Sequence, residues 1–140
     1  MSLPRIVCIV GPTSSGKTAL SLELAKMFDG EIVNADARQL YRGFEVGTGK
    51  PSLPLPIPHH LFDEDPMTQI TVSEWREKAL VCIRRIVSRG GLPILVGGTG
   101  LYFQALIDNL LIPKVPPQTE LREELSRLSL GELVERLRAT

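Results

Sequence analysis

Arg5-Ile6-Val7-Cys8-Ile9-Val10-Gly11-Pro12-Thr13-Ser14-Ser15-Gly16-Lys17-Thr18 decides the fold. The run Arg5–Val10 is short, continuous and β-branched, the pattern of a strand buried in a parallel sheet. From Lys17 onward Leu20, Leu24, Met27 and Phe28 recur on one face of a helix. Between strand and helix lies G-x-x-x-x-G-K-[ST], in the context that motif requires. Gly11 and Gly16 let the backbone curl so that successive N–H groups point inward. With the helix N-terminus those groups form an anion nest. Gly11, Pro12, Thr13, Ser14, Ser15, Gly16, Lys17 and Thr18 are therefore the candidate phosphate-binding residues. Lys17 adds a point charge, and the Thr18 hydroxyl is a candidate Mg²⁺ ligand. The loop implies a di- or triphosphate ligand and leaves the chemistry open.

Outward from this loop, the chain alternates strand and helix. Asp29-Gly30 ends the first helix, with Gly30 suited to a left-handed cap, and Glu31–Asn34 reads as a second strand. Residues 37–70 show little periodicity. Within them 50–58 carries four prolines, which exclude a helix and predict an extended surface segment. Thr71 and Glu74 form a capping box. The helix behind it is expected to bury Trp75, Ala79, Cys82, Ile83 and Ile86, with Ile70 and Trp75 as a hydrophobic staple. Pro93–Val96 is a third strand, and a further helix runs from about Thr99 to Asn109. Pro113, Pro116 and Pro117 break the chain before two short amphipathic helices, the second opened by a box at Ser129 and Glu132. This order means α/β with a parallel sheet of three strands. The expected division is a P-loop NTPase-like core over 1–112, incomplete as it stands, and two short helices over 113–140. No stop signal precedes Thr140, so a longer biological chain is expected.

Composition narrows the class. The 140 residues are 43% hydrophobic and 23% charged, and 16 basic residues balance 16 acidic ones. That excludes a disordered tail and bulk electrostatic coating of nucleic acid, but not a local basic site. Cys8 and Cys82 lie in apolar runs without a CxxC or Cys/His cluster. They read as reduced core residues of a cytoplasmic protein, and a zinc site is not expected. No run reaches membrane length.

The strand ending at Val96 runs into Gly97-Gly98-Thr99, where an NTPase would usually carry an acid for Mg²⁺. The carboxylate at a strand end is instead Asp36. It fits a Mg²⁺-linked group, a general base or a simple turn cap. His59-His60 reads as structural or as part of a substrate loop.

Five segments in register resemble one family: Gly11–Thr18, Asn34–Gly43, Gly47–Pro51, Pro58–Leu61 and Leu95–Tyr102. Together they look like tRNA dimethylallyltransferase, also called tRNA isopentenyltransferase, and cover most of residues 5–110; the resemblance implies that 113–140 are the start of a helical insertion. The resemblance implies transfer of a dimethylallyl group from dimethylallyl diphosphate to N6 of the adenosine 3′ of the anticodon. It implies that the loop, with Lys17, Thr18 and Mg²⁺, holds the diphosphate leaving group. It assigns the general base to Asp36 and makes Thr99 the hydroxyl that holds Asp36 or the adenine. The adenine would be flipped out of its stack. Asp36, Ala37, Arg38 and Gln39 match the tRNA-contacting segment, with Ala37 where many relatives have Ser. Thr99 and, after the prolines, Arg122 fall near further tRNA contacts. The expected partners are tRNA and the prenyl diphosphate, with the enzyme a monomer away from membranes. Competing readings are a prenyltransferase acting on free adenine nucleotide, a P-loop small-molecule kinase, and an inactive fragment that binds phosphate.

Overall fold

The computed structural model describes residues 5–51, 55–110, 112–113 and 115–140. The elements are β1 (Val7–Val10), α1 (Lys17–Phe28), β2 (Gly30–Asn34), β3 (His59–His60), α2 (Val72–Ser88), β4 (Leu92–Gly97), α3 (Gly100–Ile107), α4 (Thr119–Ser126) and α5 (Leu130–Arg138). All strand pairs are parallel, in the order β1-β4-β2-β3. The sheet thus has four strands where the sequence predicts three. The fourth, β3, is two residues long and pairs His59 with Ile32 and His60 with Val33. Two residues are too few to show a period, so only the pairing reveals the strand. The centre of the proline-rich segment, 52–54, lies outside the described residues.

The two sheet faces are covered unequally. On one face α2 and α3 bury Val33, Leu95, Trp75, Ile83, Ile86, Tyr102 and Phe103. The Thr71–Glu74 capping box forms as the sequence predicts, as does that of Ser129 and Glu132. On the other face α1 packs over Ile9, Ile32, Ile94 and Val96. Its buried residues are Ser21 and Ala25, whereas Leu20, Met27 and Phe28 are more than half exposed. Of the predicted apolar face Leu24 packs against this layer, while the other three residues turn outward. Small residues let α1 approach the sheet closely: a Cβ on Gly30 would stand 3.2 Å from the Cα of Ala25. That same crowding, not a left-handed cap, is what Gly30 serves. The left-handed cap is Asp29, with φ of 50°.

Cys8 is exposed and so is not the core residue expected, whereas Cys82 is half-buried and packs against the α2–α3 core. β1 lies at the sheet edge with β4 alone beside it. Cys8 is in register with the buried Leu95, but it stands outside the layer that α2 and α3 cover. Neither α4 nor α5 buries a residue, and an Arg136–Glu124 pair at 2.5 Å ties them together.

An ion-pair cluster pins β3 to the rest. Glu31 on β2 takes hydrogen bonds from Arg89 at 2.7 and 2.9 Å and lies 2.7 Å from Nε2 of His60. Burial pushes the Glu31 carboxyl up, but the hydrogen bonds from Arg89 and His60 outweigh it and hold the carboxyl below its ordinary value. A depressed carboxyl stabilises the fold above the unfolded-state value and ceases to do so as pH falls through the folded one. Glu31→Gln is therefore expected to cost about 0.5–1 kcal/mol at neutral pH, the scale of a partly exposed pair. Urea melts should show that difference closing below pH 4.5, the ordinary glutamate value. A difference constant from pH 7 to pH 3 would contradict the assignment.

Candidate active site

Gly16, with φ of +85°, turns the chain into α1, and Ser14, with φ of 64°, shapes the loop before it. The Lys17 ammonium lies along the loop and donates to the Pro12 carbonyl at 2.6 Å. Ser21 is buried and donates to the Thr18 carbonyl at 2.8 Å, fixing the first turn of α1. Thr13 through Thr18 line a cavity of about 370 Å³. Asp36 and Gln39 line the same cavity, and Ile32, His59, Phe62 and Val96 give it an apolar wall. Of the predicted phosphate residues, Gly11 and Pro12 stand behind the loop and do not line it. Nδ1 of His59 lies 2.7 Å from the Ile57 carbonyl, and burial pushes the ring's pKa below its ordinary value.

Asp36 is positioned from three sides. Its Oδ1 accepts from the N–H of Arg38 at 2.9 Å and more loosely from that of Gln39 at 3.4 Å. The turn cap is thus real, but it engages one carboxylate oxygen only. The other faces the tip of β4: a Cβ on Gly98 would lie 3.6 Å from Asp36 Oδ2 and 3.4 Å from the Gly11 carbonyl oxygen. Gly98 therefore separates the start of the phosphate loop from the carboxylate with no side chain between them. Gly97 allows the approach, since a Cβ there would fall 2.1 Å from the Ala35 carbonyl oxygen. The Thr99 hydroxyl accepts from the Ala37 N–H at 3.0 Å, and Thr99 N–H donates to Ala35 at 3.1 Å. Thr99 sits at the N-cap of α3, yet its side chain makes no cap bond. It braces the backbone beside Asp36.

Two further supports fall within the segments of the family resemblance, which gives neither a role of its own. Asn34 is fully buried; its Oδ1 accepts from Asp36 N–H at 2.9 Å, and its amide donates to the carbonyls of Leu61 at 2.9 Å and Asp36 at 3.1 Å. The Asn34 carbonyl takes the Trp75 indole N–H at 3.0 Å. Lys50 is buried too, with Nζ 2.6 Å from the Tyr41 carbonyl and 3.6 Å from Glu45. The available signal was residue type: a polar residue closing a β-branched strand, and a lysine inside a proline-rich run.

The predicted tRNA residues divide. Ala37 and the exposed Arg38 line a second hollow beside the first. Gln39 is half-buried, and its amide donates to the Thr48 carbonyl at 2.9 Å. Arg122 lies on α4, on a third hollow. Among the described residues no group of three or more His, Cys, Asp or Glu could hold a metal ion, and no helix is long and apolar enough to cross a membrane.

A family model described as IPP transferase matches residues 39–140, and one described as isopentenyl transferase matches residues 4–54. The chain belongs to the IPP transferase family. It is 47% identical over 125 residues to the tRNA dimethylallyltransferase of Acaryochloris marina, covering 87% of this chain and 41% of that one. The crystal structure of a tRNA isopentenylpyrophosphate transferase from Staphylococcus epidermidis superposes with a TM-score of 0.74 at 40% identity, over 98% of this chain and 46% of that one. A eukaryotic dimethylallyltransferase solved acting on tRNA matches with a TM-score of 0.73 at 29% identity, over 94% of this chain and 31% of that one. The chain thus spans under half the length of these relatives. Its fold is the P-loop NTPase-like parallel sheet flanked by helices that the sequence predicts.

Proposed function

We propose that this chain is the donor-binding and base-activating part of a tRNA dimethylallyltransferase. One observation carries the reading. The phosphate loop and Asp36 line one cavity, and at Gly98 no side chain stands beside the Gly11 carbonyl and the second Asp36 oxygen. A diphosphate leaving group and a proton acceptor are then neighbours, which is what prenyl transfer to an amine needs.

The loop N–H groups and Lys17 take up the charge that grows on the departing diphosphate. The adenine N6 amine is a poor nucleophile because its lone pair is delocalised. Asp36 accepts its proton as the new C–N bond forms, while Asn34 and Thr99 keep the carboxylate in place. Thr18 supplies a hard oxygen donor on the cavity wall, which fits a Mg²⁺ held mainly by the substrate's own phosphates. That ion, when bound, neutralises diphosphate charge. Residues 1–112 form the catalytic core in this reading, and 113–140 begin a helical insertion. Asp36–Gln39, Thr99 and Arg122 face tRNA, and the enzyme works as a cytoplasmic monomer.

The test mixes the chain with unmodified tRNA, labelled dimethylallyl diphosphate and Mg²⁺, and counts label in the RNA. Label at the adenosine beside the anticodon supports the reading, and label in free AMP instead overturns the tRNA substrate. Bound donor without transfer assigns the missing step to residues beyond this chain. Lys17→Ala is expected to weaken inorganic diphosphate binding by roughly 10- to 100-fold, the range for one charged hydrogen bond. Isothermal titration with unchanged affinity would contradict the role of the loop.

A further inference from the structure

The donor cavity adjoins a second hollow, which in turn adjoins a third. Thr48 lines the donor cavity and also the second, of about 390 Å³, which Arg38, Tyr41 and Phe44 bound. Gln69 lines the second and also the third, of about 500 Å³, which Arg122 bounds. The turn from Asp36 to Arg38 is the ridge between the first two. A strand that presents one base to Asp36 therefore has a continuous path past Phe44 toward α4.

Phe44 is 49% exposed, unusual for an aromatic side chain held in a braced loop. Its ring lies 6.1 Å from that of Tyr41, tilted by 53°. Tyr41 is itself fixed: its hydroxyl accepts from the Ile70 N–H at 3.0 Å, and its carbonyl takes Lys50 Nζ at 2.6 Å. The Thr48 hydroxyl donates to the Phe44 carbonyl, closing the loop. An aromatic face presented rigidly to solvent is what a nucleobase stacks on, because every base has a π-face and little entropy remains to be lost. The charges nearby do not oppose it. Glu45, Asp63 and Glu64 each lie within ion-pair distance of Lys50, Arg42 or Lys78. Arg38 and Arg122 mark the two ends of the path, where a backbone phosphate would be met.

We infer that Phe44, braced by Tyr41, is a stacking platform for a nucleobase flanking the target adenine in an unpaired RNA strand lying along this groove. The inference rests on the tRNA-directed reading above and adds to it the strand's path and the contact that holds it.

Fluorescence anisotropy with an anticodon stem-loop RNA tests it, alongside titration of inorganic diphosphate. Phe44→Ala is expected to weaken the RNA roughly 5- to 100-fold, the range for one lost base–aromatic stack, and to leave diphosphate affinity unchanged. Phe44→Trp restores binding. An RNA made abasic on one side of the target, at the stacked position, is already weakened, and Phe44→Ala weakens it no further. A loss below twofold, or the same loss on RNAs abasic at either flank, overturns the inference. So does wild-type chain that holds diphosphate but no RNA, a result that leaves the donor site standing. Failure to bind either overturns the reading of the site itself.

Discussion

Asp36→Asn is expected to remove prenyl transfer while the donor stays bound. Asparagine keeps an oxygen that can accept from the N–H groups of Arg38 and Gln39, so the turn at the tip of β2 survives. What it lacks is a basic oxygen toward Gly98 and the cavity. The rate should fall by roughly 10²–10⁴, the usual contribution of a positioned general base. Asp36→Ala loses the cap as well and should add a stability cost of about 1 kcal/mol. The pair of variants separates the two roles of one side chain. The comparison belongs in whichever length of chain transfers label, with donor affinity measured in parallel. If Asn weakens the prenyl diphosphate as much as it slows transfer, the carboxylate serves the metal and not the amine. If Asn transfers at the wild-type rate, Asp36 is only a turn cap.

The parts of this site that can be read from the sequence are those whose chemistry is contiguous. A phosphate nest needs successive N–H groups from neighbouring residues, so Gly11–Thr18 announces itself. Asp36 is visible because a carboxylate at a strand end is conspicuous where the next strand ends in glycines. The supports are harder to read because their partners are distant in the chain: Trp75 reaches Asn34 across 41 residues, and Thr99, which meets Ala37 across 62, is legible as a support only through the family resemblance. The buried face of α1 is misread for a different reason. Periodicity weights large apolar residues, whereas the fully buried contacts of the helix are Ser21 and Ala25, small enough to let it approach, with Leu22 and Leu24 packing only partly buried beside them. Cys8 shows the converse. Its apolar run is strand-like, but strand order decides whether a strand is covered, and β1 stands at an edge. Local pattern specified the elements here; the pairing of distant residues set which of their faces are buried.

Trp75→Ala should be the most destabilising single change in the α2 layer. The indole is fully buried and stacks on Tyr102 with centroids 4.1 Å apart and planes 11° apart. Truncating a buried aromatic costs about 3–5 kcal/mol. It also removes the indole N–H that the Asn34 carbonyl receives, which adds the cost of an unsatisfied buried acceptor. Against a total of roughly 5–15 kcal/mol for a domain, that is about a fifth or more of the stability. Trp75→Phe divides the effect: it keeps an aromatic ring against Tyr102 and drops only the donor, at about 1–3 kcal/mol. Its consequence for the site is the more telling one. Asn34 holds the Asp36 N–H through its side chain and the Trp75 indole through its carbonyl, so loosening one loosens the other. Trp75→Phe should therefore lower the transfer rate more than donor affinity, because the phosphate loop lies on the opposite face of the sheet with α1. Urea melts of both variants, with diphosphate titrated into the folded protein, check this. A Trp75→Ala loss under about 1 kcal/mol, or a Trp75→Phe variant that loses donor affinity and keeps its rate, would break the proposed link between the core and the carboxylate.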